Sequence, residues 1–172
     1  MDQDSLKDIR VLTVDDERLI RDLVRDVLMS LGFRDITQLN SGRQAIDAVS
    51  TFSFDFIITD WRMKDLDGID LIRYVRRSPQ CRCPHVPIIL LTGNTEAHYV
   101  LEARDAGVNE YMIKPFSAEQ LVRRIRSIIE KPRSFVVTPT YSGPDRRRSN
   151  QPPPQGRDRR KRKPKPSGGR YG

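Results

Sequence analysis

Cysteine is almost missing: the 172 residues contain two, Cys81 and Cys83. Two thiols separated by one residue exclude a disulfide framework of the kind that holds small secreted domains together. Aromatic residues are sparse at 7%, with a single tryptophan, Trp61. No apolar run approaches the roughly 18 residues that cross a bilayer. The opening residues, MDQDSLKD, lack the basic and apolar segments of a secretory signal, so a soluble, cytoplasmic protein is expected. Against these absences, 37% hydrophobic content in a chain of this length suffices for one packed domain.

The charge is unevenly placed. Residues 1–130 carry 18 Lys+Arg against 21 Asp+Glu, a net −3, whereas residues 131–172 carry 13 against 2, a net +11. The overall +8 therefore belongs to the C-terminal segment and not to the domain before it.

Residues 1–130 alternate short apolar runs with helical patterns. Runs at 9–14, 36–39, 54–59, 86–91 and 110–113 read as strands. Between and after them, spacings of three and four give helices over 18–31, from Ser41 onward, 69–76, 95–106 and from Ser117 onward. Gly32 and Gly107 close two of the helices, and Ser117 with Gln120 has capping-box spacing. Five strand and helix pairs predict an α/β fold, a doubly wound five-stranded parallel sheet of order 2-1-3-4-5 in the flavodoxin-like arrangement. Residues 131–172 hold eight of the twelve prolines and the run RDRRKRKPKP. That composition predicts a disordered basic tail, although Phe135, Val136, Val137 and Tyr141 could dock on the domain.

In such a sheet the C-terminal strand ends converge on one crevice. Asp15 and Asp16 follow the first strand, Asp60 the third and Lys114 the fifth. Three carboxylates in one crevice repel one another unless a cation lies among them, and oxygen-only donors suit Mg2+. For any one of these acids alone, a solvated loop or helix cap is the better reading; the combination is what points to a site.

These residues carry a family resemblance. Asp15-Asp16, the spacing Asp60-x-x-Met63-x-x-x-Asp67-Gly68, Thr92 at the end of strand four, Tyr111, and Lys114-Pro115-Phe116 together resemble the receiver domain of bacterial two-component response regulators, the CheY-like family, over residues 7–130. The resemblance implies that Asp60 accepts a phosphoryl group from a sensor histidine kinase or histidine phosphotransfer protein. It implies that Asp16, Asp60 and the backbone carbonyl of Arg62 ligate Mg2+ directly, with Asp15 acting mainly through water. Lys114 and Thr92 would contact the phosphoryl oxygens, and Lys114-Pro115 would be a cis peptide. Thr92 and Tyr111 would relay the change to the face of helix four, strand five and helix five, where a downstream protein binds. Arg62 and Asn94 stand at the variable positions that tune hydrolysis. Lys64 replaces the proline usual after Met63, which implies a slightly different loop around an intact site.

The implied function is a single-domain response regulator, a phosphoacceptor and not a metabolic enzyme. Two other readings stay open: an intermediate phosphorelay shuttle, and a regulator whose basic tail binds nucleic acid or an anionic surface. No output motif is visible in residues 131–172. Cys81, Cys83 and His85 fall short of a four-ligand zinc site, and reduced thiols in a loop are expected. Trp61 is expected near the mouth of the site, and His98 on a helix surface.

Overall fold

The computed structural model describes residues 6–146. Strands β1 (Arg10–Val14), β2 (Asp35–Leu39), β3 (Phe56–Asp60), β4 (Ile88–Thr92) and β5 (Glu110–Ile113) alternate with helices α1 (Arg18–Leu31), α2 (Gly42–Thr51), α3 (Gly68–Arg77), α4 (Ala97–Ala106) and α5 (Ala118–Glu130). The five strands form one parallel sheet in the order β2-β1-β3-β4-β5, as expected.

The sheet is covered on both faces, so its central strands are apolar throughout rather than alternating. Leu12, Val14, Ile57, Ile88 and Leu90 face α2, α3 and α4. Val11, Phe56, Ile58, Ile89 and Leu91 face α1 and α5. β4 opens at Ile88, two residues later than its apolar run: Pro87 has no N–H to donate, and its carbonyl takes the Ile57 N–H at 2.9 Å instead. Thr92 is the last residue of β4, as expected.

Helix ends follow local chemistry. Gly32 and Gly107 adopt left-handed φ values of 109° and 99°, the conformation a helix stop requires. Ser117 and Gln120 form the expected capping box. At α2 the Ser41 cap is reinforced from a distance: the Asp65 carboxylate accepts from Ser41 Oγ at 2.6 Å and from the Gly42 and Arg43 amides at 3.1 and 3.0 Å. The Ser41 hydrogen bond leads the set that holds the Asp65 carboxyl down at about 2.

The reading of residues 131–172 as disordered needs correction at its near end. Strands β6 (Phe135–Thr138) and β7 (Tyr141–Pro144) form an antiparallel hairpin that packs on α3 and α4. Large apolar side chains are few here, but backbone proximity takes their place. A side chain at Gly143 would strike the Gly107 Cα, and one at Gly107 would strike the Ser142 carbonyl, so two bare backbones meet where α4 ends. Tyr141 is buried and donates its hydroxyl to the Pro144 carbonyl at 2.6 Å. Arg146 lies 3.9 Å over the Tyr141 ring and 3.4 Å from Asp105 of α4. Of the four residues expected to dock, Phe135 and Tyr141 do so, whereas Val137 is 68% exposed. The RDRRKRKPKP run and the rest of residues 147–172 lie outside the described residues. No helix among the described residues is long and apolar enough to cross a membrane.

Removing the Tyr141 ring deletes both its packing and the hairpin's own hydroxyl bond. Tyr141→Ala should lower unfolding stability by about 2 kcal/mol, a loss expected of a large side chain at a core's margin. Chemical denaturation, with proteolysis of residues 131–146 as a second readout, measures it.

Candidate functional site

Parallel strands bring their C-terminal ends to one edge, and register aligns them: Val14 pairs with Thr59, Asp60 with Leu91, and Thr92 with Ile113. Asp15, Asp60, Thr92 and Lys114 are therefore neighbours although up to 99 residues separate them. Carboxylate oxygens of Asp15, Asp16 and Asp60 lie within 4.8 Å of one another. Asp15 and Asp60 are buried, at 3% and 5% exposure, and Asp16 is half-buried.

Lys114 ties the cluster together. Its Nζ lies 2.8 Å from Asp15 Oδ2 and 2.9 Å from Asp60 Oδ1, with Glu17 Oε1 farther out at 3.5 Å. Burial raises the pKa of Asp15, against the opposing hydrogen bonds from Lys114 and the Glu17 amide. Burial likewise raises Asp60, with Lys114 opposing and the Asp15 charge adding to the rise. Burial works against the Lys114 ammonium, but its hydrogen bonds to Asp15 and Asp60 prevail and its pKa is raised. One ammonium thus leaves the three carboxylates under-compensated. An oxygen-only donor set with excess negative charge fits a hard divalent cation such as Mg2+.

The remaining expected residues divide into two groups. Thr92 is fully buried; its Oγ1 accepts the Asn94 amide at 3.0 Å, and its carbonyl accepts the Lys114 amide at 2.6 Å. The Tyr111 hydroxyl donates to the Asn94 carbonyl at 2.6 Å, so Tyr111 and Thr92 grip the same residue. The Asn94 side-chain nitrogen is buried with no partner among the described residues. The Lys114-Pro115 bond is cis, as expected. Arg62 instead reaches along its own loop to Asp67, 3.5 Å away, and stays 66% exposed.

Trp61 departs from expectation. Its side chain is 2% exposed and meets Tyr99 and Tyr111 edge-on, with ring centroids 5.2 and 6.5 Å apart. The chain turns inward after Asp60, so Trp61 fills the core beneath α4 rather than the mouth of the site. His98 is exposed, as expected. Cys81, Cys83 and His85 do not come together as a metal site: Asp15, Asp16 and Asp60 are the only such group among the described residues, and the His85 ring stacks on Phe135.

Two residues contribute to the site in ways that the motif does not state. Lys64, noted only as a departure, places its ammonium 4.0 Å from Asp16, which makes it a rim cation. Gly68, which closes the quoted motif without a role of its own, lies against the Asp60 carbonyl with no room for a methyl, and donates its N–H to Trp61 O at 2.7 Å. Its place in the motif is legible in the sequence, but its close approach to Asp60 is a tertiary fact.

The family model for the response regulator receiver domain matches residues 11–126. The chain belongs to that family. Among curated relatives, this receiver is 36% identical over 123 residues to the chemotaxis protein CheY of Pseudomonas aeruginosa, spanning 72% of this chain and 98% of that one. It is 34% identical over 125 residues to chemotaxis protein CheY-3 of Vibrio cholerae, with coverage of 73% and 95%. Among solved structures, CheY4 of Vibrio cholerae superposes with a TM-score of 0.63 at 29% identity, covering 70% of this chain and 98% of that one. The receiver domain of a sensor histidine kinase from Pseudomonas aeruginosa PAO1, with magnesium coordinated in its active-site cleft, gives 0.62 at 32% identity, with coverage of 71% and 98%. The receiver match ends at residue 126, before the β6–β7 hairpin.

Gly68→Ala should force the Asp60 backbone to shift, at a cost of about 1–3 kcal/mol for an overpacked site. A fall in both melting temperature and divalent-cation affinity is the expected result, measured by calorimetry and by Trp61 fluorescence titration.

Proposed function

We propose that this receiver is a phosphorylation-operated switch: Asp60 accepts a phosphoryl group from the phosphohistidine of a sensor histidine kinase or histidine phosphotransfer protein. Mg2+ is its cofactor, the cytoplasm is where it acts, and a change of protein partner is its output. It is a phosphoacceptor that takes part in its own phosphorylation and dephosphorylation, not a metabolic enzyme. The observation that carries this reading is the Asp60 carboxylate, buried among acids yet 2.9 Å from the Lys114 ammonium.

A carboxylate is a weak nucleophile, and phosphoryl transfer depends mainly on position and charge. Asp16 and Asp60, with the Arg62 backbone carbonyl, would hold the metal, and Asp15 would support it through water. When bound, Mg2+ supplies charge neutralisation for the transferring oxygens. Asp60 Oδ1 presently faces Lys114, so the ammonium is placed to pair with a phosphoryl oxygen once the carboxylate becomes an acyl phosphate. The Thr92 hydroxyl can donate to a second phosphoryl oxygen. Its oxygen accepts the Asn94 amide, so any shift of the hydroxyl toward the phosphoryl group would pull on Asn94, the residue to which Tyr111 is bound. The charge event at Asp60 therefore has a two-bond route to the Tyr111 ring and the face made by α4, β5 and α5. A downstream protein reading that face would sense Asp60.

Incubation with acetyl phosphate and Mg2+, followed by intact-mass analysis, should give one phosphoryl adduct in the wild type. The adduct should be lost in Asp60→Asn and on addition of a chelator. An equal adduct in Asp60→Asn would overturn the assignment. Lys114→Ala should slow adduct formation on the order of 100-fold, the scale for loss of one charge-stabilising donor. Arg62, exposed and held only by Asp67, is free to swing toward a phosphorylated Asp60 and slow its hydrolysis. Arg62→Ala should then dephosphorylate faster; an unchanged or slower rate would refute that role.

A further inference from the structure

Helix α4 is held to the rest of the domain mainly at one end. Over residues 102–107, the Glu102 carboxylate accepts from Arg73 of α3 at 2.8 Å, and Asp105 pairs with Arg146 at 3.4 Å. The Gly107 carbonyl, at the helix stop, accepts from Arg76 Nε of α3 at 3.0 Å, and Ala103 and Ala106 are buried. Over residues 96–101, among the described residues, no side chain hydrogen-bonds or ion-pairs with another element. Glu96 and His98 pair with each other at 3.4 Å, and the Tyr99 ring meets Trp61.

The β6–β7 hairpin lies across the held end of α4 and the helix beside it. β7 lies against both α3 and α4. Its Gly143 backbone meets the Gly107 Cα, with the buried Tyr141 ring beside it and Arg146 on Asp105. β6 is seated elsewhere: the Phe135 ring is 4.2 Å from the ring of His85, in the loop after α3, and 5.4 Å from the Arg76 guanidinium. Arg76 is 4% exposed and also donates to the Pro84 carbonyl at 2.7 Å and to Asn109 Oδ1 at 3.2 Å. Asn109 Oδ1 in turn accepts the Ile88 N–H at 3.0 Å, so this second seat is fixed to the start of β4. The ladder between β6 and β7 joins the two seats. The Arg146–Asp105 pair is exposed and adds little. The seat on α4 depends instead on close packing of two bare backbones, which leaves little room for a change of tilt.

We propose that the hairpin is an intramolecular restraint on the phosphoryl switch: docked, it disfavours a tilt of α4 relative to α3 in the phosphorylated state, and phosphorylation in turn loosens the hairpin. The inference rests on the reading of Asp60 as phosphoacceptor, with its route through Thr92, Asn94 and Tyr111. That route arrives at the loosely held end of α4, since Asn94 stands just before the helix. A shift there changes the angle between α3 and α4, and a hairpin seated on both elements must then strain one seat or the other. The coupling is reciprocal: the factor by which docking weakens the phosphorylated arrangement equals the factor by which that arrangement weakens docking.

Beryllofluoride with Mg2+, a stable stand-in for the phosphoryl group, can be titrated into the full-length chain and followed by Trp61 fluorescence and hydrogen exchange. Saturation should accelerate exchange across residues 135–144 in the wild type and leave it unchanged in Asp60→Asn. Gly143→Ala forces the two backbones apart, and Phe135→Ala removes the other seat. Each should accelerate exchange across residues 97–107 with no ligand present, in a domain whose circular dichroism is unchanged. Each should also bind beryllofluoride about fivefold more tightly, the lower end of coupling between sites. No beryllofluoride binding and no acetyl phosphate adduct in the wild type would overturn the phosphoacceptor reading and this inference with it. Binding with unchanged exchange in the hairpin, or acceleration in Asp60→Asn as well, would overturn the restraint alone. So would an undisturbed α4, or an equal or weaker affinity, in either folded variant.

Discussion

Negative charge that one lysine cannot neutralise is the constraint around which this domain is arranged. Asp15, Asp16 and Asp60 share a space of a few ångströms, and Lys114 spans two of them from the end of the edge strand β5. A parallel sheet is suited to hold such a group, because hydrogen-bonded strands fix the spacing of their C-terminal ends and the apolar layers on both faces forbid relaxation sideways. The result is a cluster whose negative charge exceeds what Lys114 supplies and so suits a further cation. Under the proposed function that incompleteness would make the site responsive, because a phosphoryl charge on Asp60 would fall on Lys114, Thr92 and whatever these hold.

Most of the fold was legible because periodicity and strand-end placement are properties of the local sequence. The five strand and helix pairs, their order and the glycine stops follow from spacing alone, and the site follows from which residue stands last in each strand. What escaped was set by contacts between distant segments. Trp61 is adjacent to Asp60 in sequence, yet the chain's inward turn sends it under α4. Lys64 looked like a loop substitution and is a cation on the rim. Asp65 caps a helix more than twenty residues upstream.

The hairpin escaped for a different reason. A count of large apolar side chains describes how a segment buries itself with side chains, and residues 131–146 use backbone contact, a cation over Tyr141 and ring stacking on His85 instead. In a segment whose prolines read as a marker of disorder, Gly143 permits the close approach to Gly107. The compositional argument was sound for a segment alone in water and failed for one with a fitted surface to lie on.

The meeting of Gly107 with the hairpin has a mechanical reading. Helix α4 buries only Ala103 and Ala106, both in its C-terminal half, while Val100 and Leu101 are largely exposed. A rod clamped at one end and loosely seated at the other does not slide; it swings. The clamp is at Gly107, and the loose end begins just beyond Asn94, where the carboxylate crevice lies. A small shift there would be spent on angle, with the hairpin as fulcrum.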